Sequence, residues 1–497
     1  MKKVICLLAA ALLLSCVGCT GQPANDSPDE TPTTAFHLTR LPDLEPYEGV
    51  REISSRYYEE YTDHLIPRDD YGELYPYAGK IIGEGTWEVQ AIYGLCDAQG
   101  RIVVDPVYRS VHVREDSEGN RIISASLLMD EENATESDYT ELTVVIDGQG
   151  RWSLGPQAGY LGYFGNGKFA FCRSAWEDDL YLTYSTLYSL EDAQPLFPEI
   201  QGYLDYAMDE FYVVSGPVDE ENYGYRFYRE DGTPVESPAF RSIGSLEQGR
   251  ATVMLREGQW GILDENFNWV VEPQYQYIQS NGAGLYTVQT QTGYGVIDAD
   301  GREILPAEYD YVSFWNGDTT VSVCKNGVYS LFDTVSNTFL ELPNHSQAAS
   351  STGGNVFYQR INDGIDVFTS EGQFHIDGGE YVSYCGEQLP LIVTMISSAT
   401  DEGYTQDVML VDRQGNQVGP LFHDCYAYVL NDAILVSDTG SGRTGLIDAE
   451  GNFLISQNYR SIRDLGNGYF DVQGALYSGI VDLEENWIIR IPTTTLD

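Results

Sequence analysis

Apolar positions in this chain come in short runs, and the runs recur. Trp260-Gly261-Ile262-Leu263 is apolar at alternate and intervening positions alike, which predicts a short strand covered on both faces. A polar stretch from Asp264 follows, then a second apolar run at Trp269-Val270-Val271, then Pro273 and Tyr275. The same order returns at Tyr294-Gly295-Val296-Ile297-Asp298, Gly301, Ile304-Leu305, Pro306 and Tyr309, with Asp298 standing 34 residues after Asp264. Fixed-period self-similarity of this kind is the signature of a stacked repeat protein.

Aligning on the aspartate extends the array in both directions. It starts at Tyr93-Gly94, Asp97, Gly100 and runs through Asp147, Asp192, Arg229, Asp264, Asp298, Asp333, Thr369, Asp412, Asp448 and Asp482, eleven copies at spacings of 34 to 50 residues. The match is clearest over 250–345 and 440–497 and weakest around Asp192, Arg229 and Thr369. About three short strands fit in each period, with no room for a regular helix. The fold class is therefore all-β: tandem antiparallel repeats in propeller-like sheets or an open superhelical stack. Eleven copies exceed the usual four to eight propeller blades.

Each recurring residue has a local reason. Gly94, Gly261, Gly295, Gly445 and Gly479 follow a larger residue inside the strand, where a missing side chain admits close backbone approach or a bulge. Asp97…Gly100, Asp298…Gly301 and Asp448…Gly451 read as hairpin turns, the aspartate accepting backbone hydrogen bonds and the glycine supplying a positive φ. Pro273 and Pro306 are expected to end strand pairing because proline has no N–H.

The N-terminus departs from this pattern. Lys2 and Lys3 precede an apolar run from Val4 to Leu14, the layout of a secretion signal and too short to span a bilayer. Leu13-Leu14-Ser15-Cys16-Val17-Gly18-Cys19 follows. Residues 20–35 are rich in Pro, Asp, Ser and Thr and read as a flexible acidic tether. Residues 36–88 fit the repeat poorly and read as a cap region on the array at 89–497, with a short helix over Arg51–His64 and a loop at Tyr71–Tyr77.

The net charge of -49 repels nucleic acid and anionic lipid surfaces. Of the eight cysteines, Cys96, Cys172, Cys324, Cys385 and Cys425 lie within the array, an odd and scattered set. Cys96 holds the strand position of Leu263 and Ile297 and reads as a small buried hydrophobe.

Two resemblances follow from these residues. Leu13–Cys19 resembles a bacterial lipobox, in which a cysteine becomes the first mature residue and carries the lipid. Cys16 and Cys19 both fit. The resemblance implies a lipid anchor at the extracytoplasmic face of a membrane. The repeats resemble WG (KWG-type) repeats, strongly at Tyr93-Gly94, Trp260-Gly261, Tyr294-Gly295, Thr444-Gly445 and Ser478-Gly479. That family implies a bacterial, often secreted β-repeat protein without an agreed activity.

The sequence shows no site for chemistry. The six histidines are far apart and there is no His-Glu-x-x-His or Gly-x-Ser-x-Gly. Gly162…Gly167-Lys168 imitates a phosphate loop, but Phe169 replaces the magnesium-binding hydroxyl, and a hairpin turn explains it. The Asp turns lack a full calcium loop. No cofactor or metal is expected. The expected function is a surface-anchored, non-catalytic binding or scaffold lipoprotein that engages an extracellular protein or glycan. The alternative is an extracellular carbohydrate-active or other hydrolase with a carboxylate site.

Overall fold

A computed structural model describes residues 67, 69–82, 90–127, 142–177, 180–208, 211–217, 223–236, 240–400 and 403–492. The leader, the tether, Cys16, Cys19 and the Arg51–His64 segment lie outside these residues. All regular structure described is β, and no helix among the described residues is long and apolar enough to cross a membrane.

Ten antiparallel sheets succeed one another along the described chain in a propeller-like arrangement. Nine hold one repeat each. The first holds two, because the strand Ile102–Glu115 pairs through its first half with Gln90–Asp97 and through its second with Arg121–Leu127. Elsewhere the two halves are separate strands, as in Trp269–Tyr275 and Tyr277–Ser280. The described residues thus contain eleven modules, numbered here in chain order. The sixth is representative: strands a (Tyr277–Ser280), b (Leu285–Gln289), c (Tyr294–Asp298) and d (Glu303–Tyr309) lie side by side in sequence order. Most modules have four described strands where three were expected, the first and the fourth having three. Strand a escapes the sequence pattern because only Ile278 of its four residues is buried.

The prolines do not end pairing. Tyr294 pairs with Tyr309 and Val296 with Leu305, so Pro306-Ala307-Glu308 bulges out of strand d opposite Gly295. Pro273 bulges opposite Gly261 in the same way, between the pairs Trp260–Tyr275 and Ile262–Val271. A bulge leaves a residue without a ladder partner, so the missing N–H costs nothing there. The glycine is required because the bulged backbone lies over it. A Cβ on Gly295 would stand 2.6 Å from the Leu305 carbonyl oxygen and 2.8 Å from Ala307 Cα. Gly94, Gly445 and Gly479 occupy the same position in their modules, each under a crossing strand.

The c–d turns follow the aspartate rule and extend it. Asp412 Oδ1 accepts the N–H groups of Gln414 and Asn416 at 2.9 and 2.8 Å, while Oδ2 accepts the Asn416 side-chain amide at 2.8 Å. Asp264 with Asn268, Asp448 with Asn452 and Asp482 with Asn486 repeat the amide contact, and Arg101 and Arg151 replace it with a guanidinium on Asp97 and Asp147. Gly100, Gly301 and Gly451 supply the positive φ, although Phe267 and Glu485 adopt it without glycine. One of the weak copies departs from the alignment and another keeps it without the aspartate. In the third module Ser189, not Asp192, pairs with the first residue of strand b, as Asp298 does in the sixth. Its turn is one residue longer, so Ser189 N–H reaches the Gln194 carbonyl and Asp192 falls inside the loop. In the fourth, Arg229 takes the aspartate position and Asp231 caps Thr233 instead.

Burial raises the carboxyl pKa of Asp264, Asp412 and Asp448, but the turn hydrogen bonds outweigh it and hold all three below the ordinary aspartate range. A lowered folded-state pKa stabilises above the unfolded value of about 3.9, and that contribution is lost as pH falls through the folded values. The expected outcome is an acid limb in a plot of Tm against pH that flattens in an Asp264→Asn, Asp412→Asn, Asp448→Asn variant, while the neutral limb keeps its shape. An unchanged acid limb contradicts the assignment.

The first and last modules meet. Tyr75 and Tyr77 pack with Cys96, Leu465, Ile480, Ile488 and Ile489 in one buried cluster. The Tyr71–Tyr77 loop reading is therefore corrected: Leu74–Ile82 is strand b of the first module, and the cap boundary at 88 falls within that module's sheet. A loop and an interface strand share the same aromatic composition, so the tyrosines alone do not distinguish them. Arg121 binds three modules together. Its guanidinium donates to Glu73 Oε2 at 2.7 Å and to the Leu465 carbonyl at 2.6 Å, and lies 5.0 Å from the centre of the Tyr75 ring. Among the described residues the first and last modules are joined by side-chain packing, the final sheet has four strands of its own, and no strand is exchanged across the join.

Candidate binding surface

The strand order gives each module two ends. One carries the a–b loops and c–d turns, the other the b–c turns and d–a junctions. The two ends differ in chemistry.

At the turn-bearing end several carboxylates hold the turns and loops together. The Asp caps serve the turns. A polar cleft of about 460 Å³ is lined by Glu73, Glu118, Asp147 and Glu191 together with Arg121 and Arg151. Within it Arg121 engages Glu73, and Arg151 donates twice to Asp147 at 2.8 and 2.9 Å. The a–b loops interlock: Asn281 donates to the Asp318 carbonyl at 2.6 Å, and buried Asp318 accepts from Asn355 N–H and Ser351 at 2.7 Å each.

The junction end presents a repeated side chain. Tyr277 opens strand a of the sixth module and pairs across to Gln289, which pairs to Tyr294. Tracing the same register through the other sheets gives Tyr160 opposite Cys172, Tyr203 opposite Ser215, Tyr311 opposite Cys324, Tyr381 opposite Thr394 and Tyr426 opposite Ser437. Six modules place tyrosine at one position, and the second, fifth and eleventh place Ser110, Ser242 and Ser461 there. Tyr160, Tyr277, Tyr311, Tyr381 and Tyr426 are each 41–43 % exposed, and Tyr203 is half-buried. Each ring rests partly on its neighbours: Tyr160 lies 5.8 Å from Tyr203 of the next module, and Tyr277 6.3 Å from Trp260 of the module before. Beyond the row, the long hairpin Lys168–Glu177 and Leu180–Ser189 carries Trp176 and Tyr181 paired across it, 68 % and 63 % exposed.

The row is not evident in the repeat motif, whose tyrosines Tyr275 and Tyr309 pair instead with Trp260 and Tyr294. The signal was the second tyrosine two residues later, in Tyr275-Gln276-Tyr277 and Tyr309-Asp310-Tyr311. The motif residues Tyr93, Gly94, Asp97, Gly100, Trp260, Gly261, Asp264, Pro273, Tyr275, Tyr294, Gly295, Asp298, Gly301, Pro306, Tyr309, Gly445, Asp448, Gly451, Gly479 and Asp482 all lie in or beside the c and d strands and shape the modules.

Two of the histidines meet carboxylates at the junction end. His375 Nδ1 lies 2.9 Å from Asp366, and Nε2 lies 3.2 Å from Asp377 and 3.9 Å from Asp363. Among the described residues, Asp363, His375 and Asp377 could gather around a cation, and all three are exposed. The hydrogen bond to Asp366 raises the His375 pKa against partial desolvation, with Asp363 and Asp377 adding to the rise, and a protonated imidazole answers the same carboxylates. His423 Nδ1 pairs with Asp407 at 3.0 Å in the next module. Asp471 is the carboxyl pushed upward among the shifted acids, through burial that its partner Arg463 opposes at 2.9 Å. The five cysteines of the array are buried thiols outside any disulfide, and burial pushes the Cys385 thiol up to about 11.

Comparison with known proteins agrees with the module read from these registers. Residues 260–291 and 294–329 match the WG containing repeat family. These two WG repeats run from strand c of one module into the next, so they carry the Gly261 and Gly295 bulges and both Tyr277 and Tyr311. No curated protein matches the sequence. Among solved structures, a crystal structure of the eukaryotic initiation factor is similar at 13% identity and a TM-score of 0.36, over 71% of this chain and 96% of that one. The tricorn protease is similar at 11% identity and a TM-score of 0.26, over 80% of this chain and 55% of that one. The β-propeller domain of the Trilobed protease from Pyrococcus furiosus is similar at 12% identity and a TM-score of 0.25, over 60% and 99%.

Proposed function

We propose that the protein is a non-catalytic binding lipoprotein, held by a lipid on Cys16 or Cys19 at the extracytoplasmic face of a membrane, which presents its tyrosine row to an extracellular protein or glycan. The row carries this reading. Six modules keep a tyrosine at one register position, exposed in five of them, where strand pairing alone requires none. Tyrosine offers broad contact area at little conformational cost, and a repeat array multiplies one weak contact along its length. The acids Asp412, Glu73 and Asp147 at the turn-bearing end support the same reading, because each is engaged in a cap or an ion pair.

The test is binding by the full chain to arrays of glycans and envelope proteins, before and after a combined Tyr277→Ala, Tyr311→Ala, Tyr426→Ala substitution. Loss of at least tenfold in affinity is expected, since several contacts of roughly 0.5–1 kcal/mol disappear together. Single Asp→Asn changes at the turn caps leave binding intact. Turnover of any glycan or peptide, abolished by one carboxylate substitution, overturns the non-catalytic assignment. For the anchor, the mature protein partitions with membranes, and replacing the lipidated cysteine by alanine releases it.

A further inference from the structure

We infer that the partner of the tyrosine row is a basic polypeptide segment, whose lysines and arginines dock between tyrosine faces and carboxylates. This rests on the proposed binding function and names the chemistry of what is bound.

The protein's own cations at this end show the mode of contact. Lys325 lies 5.2 Å from the centre of the Tyr309 ring and pairs with Glu308. Arg360 lies 4.6 Å over Tyr381 and 3.1 Å from Glu380. Arg173 lies 4.4 Å over Tyr184 and 2.6 Å from Glu199. Three modules thus hold a cation by the same two elements, an aromatic face and a carboxylate beside it. Ring quadrupole and negative charge attract the same ion, and they act together where the ring also shields it from water. The contacts differ in strand position, so they reflect a shared surface chemistry and are not copies of one structural site.

The row offers further pairs of this kind. Tyr311 follows exposed Asp310, and Tyr426 lies two residues beyond exposed Asp424. Trp176 and Tyr181 stand beside exposed Glu177 at the hairpin end. The whole chain carries -49. Long-range attraction of a polycation and its local capture therefore have the same sign. A neutral glycan would use the rings without the carboxylates, and an anionic polymer would be repelled by them.

The experiment measures binding of a fluorescent ten-residue arginine–lysine peptide to the full chain by anisotropy, at two salt concentrations. A neutral oligosaccharide is measured in parallel. The expected result is saturable peptide binding that weakens about tenfold in the Tyr277→Ala, Tyr311→Ala, Tyr426→Ala chain. Binding is largely kept in the Tyr→Phe counterpart, because phenylalanine retains the ring face and loses only the hydroxyl. Asp310→Asn with Asp424→Asn weakens it as well. Circular dichroism and an unchanged Tm establish that each variant is folded. Peptide binding that falls with salt but ignores the tyrosines is diffuse attraction and overturns the inference. Oligosaccharide binding lost with the tyrosines, without peptide binding, overturns the cationic partner and leaves the binding function standing. Failure of both probes together with empty glycan and envelope arrays removes the binding function itself.

Discussion

An Arg121→Met chain is expected to lose about 2–3 kcal/mol from its first unfolding transition, with the loss confined to the ends of the array. The side chain is almost fully buried between the first, second and last modules. Methionine fills much of the volume but leaves the Leu465 carbonyl without its donor, and an unsatisfied buried acceptor costs about 1–3 kcal/mol. The cation over Tyr75 is lost too. Glu73 adds less, because it is 31% exposed and turns to water when its partner goes. Hydrogen exchange locates the effect: amides of Leu74–Ile82 and Ser461–Gly466 speed up, and those of the WG repeats at 260–329 do not. Arg121→Lys gives little rescue, since one ammonium cannot reproduce the planar fork that serves Glu73 and Leu465 together. Uniformly faster exchange along the chain would show that Arg121 does not act as a local tie.

Gly295→Ala is the second large effect, expected at about 1–3 kcal/mol, the usual cost of forcing a methyl group into filled space. The obstacle is backbone on both sides, the Leu305 carbonyl and the Ala307 Cα, so no side-chain rotation relieves it. Strand d must shift or the bulge at Pro306 must open. Gly440→Ala is the control. It lies on an exposed turn, and a Cβ there meets only the Asp438 carboxylate at 3.6 Å, so its effect stays within about 0.5 kcal/mol. Denaturant midpoints of the two variants decide the matter. Equal midpoints would mean that the glycine beside the aromatic residue serves something other than the bulge.

Much of the architecture was legible in the chain. The doubly apolar c strands and the turn aspartates located the modules, because a buried strand and a capped hairpin each demand particular residues at particular spacings. What was not legible depends on long-range pairing. Nothing local tells that Pro306 lies inside a strand, since the compensating residue, Gly295, is in another strand. Strand a is too short and too polar to announce itself. The Asn or Arg four residues beyond the turn aspartate was visible, but its meaning requires knowing that the chain folds back at that point. Tyr75 and Tyr77 belong to an interface whose other half lies at Leu465 and beyond. The tyrosine row is the clearest case. Tyr160 and Tyr426 are equivalent only through the register of their sheets, and surface residues of that kind leave no periodic hydrophobic trace.

The tie at Arg121 also bears on how the chain matures. Its acceptor, the Leu465 carbonyl, is 344 residues away in sequence. Individual hairpins form from neighbours and need no distant help, so most of the molecule can organise while synthesis continues. The last contact cannot form until nearly all of the polypeptide has emerged. Until then Tyr75, Tyr77 and Cys96 have no apolar cover from the C-terminal sheet, and it is this interval that exposes the newborn chain to self-association.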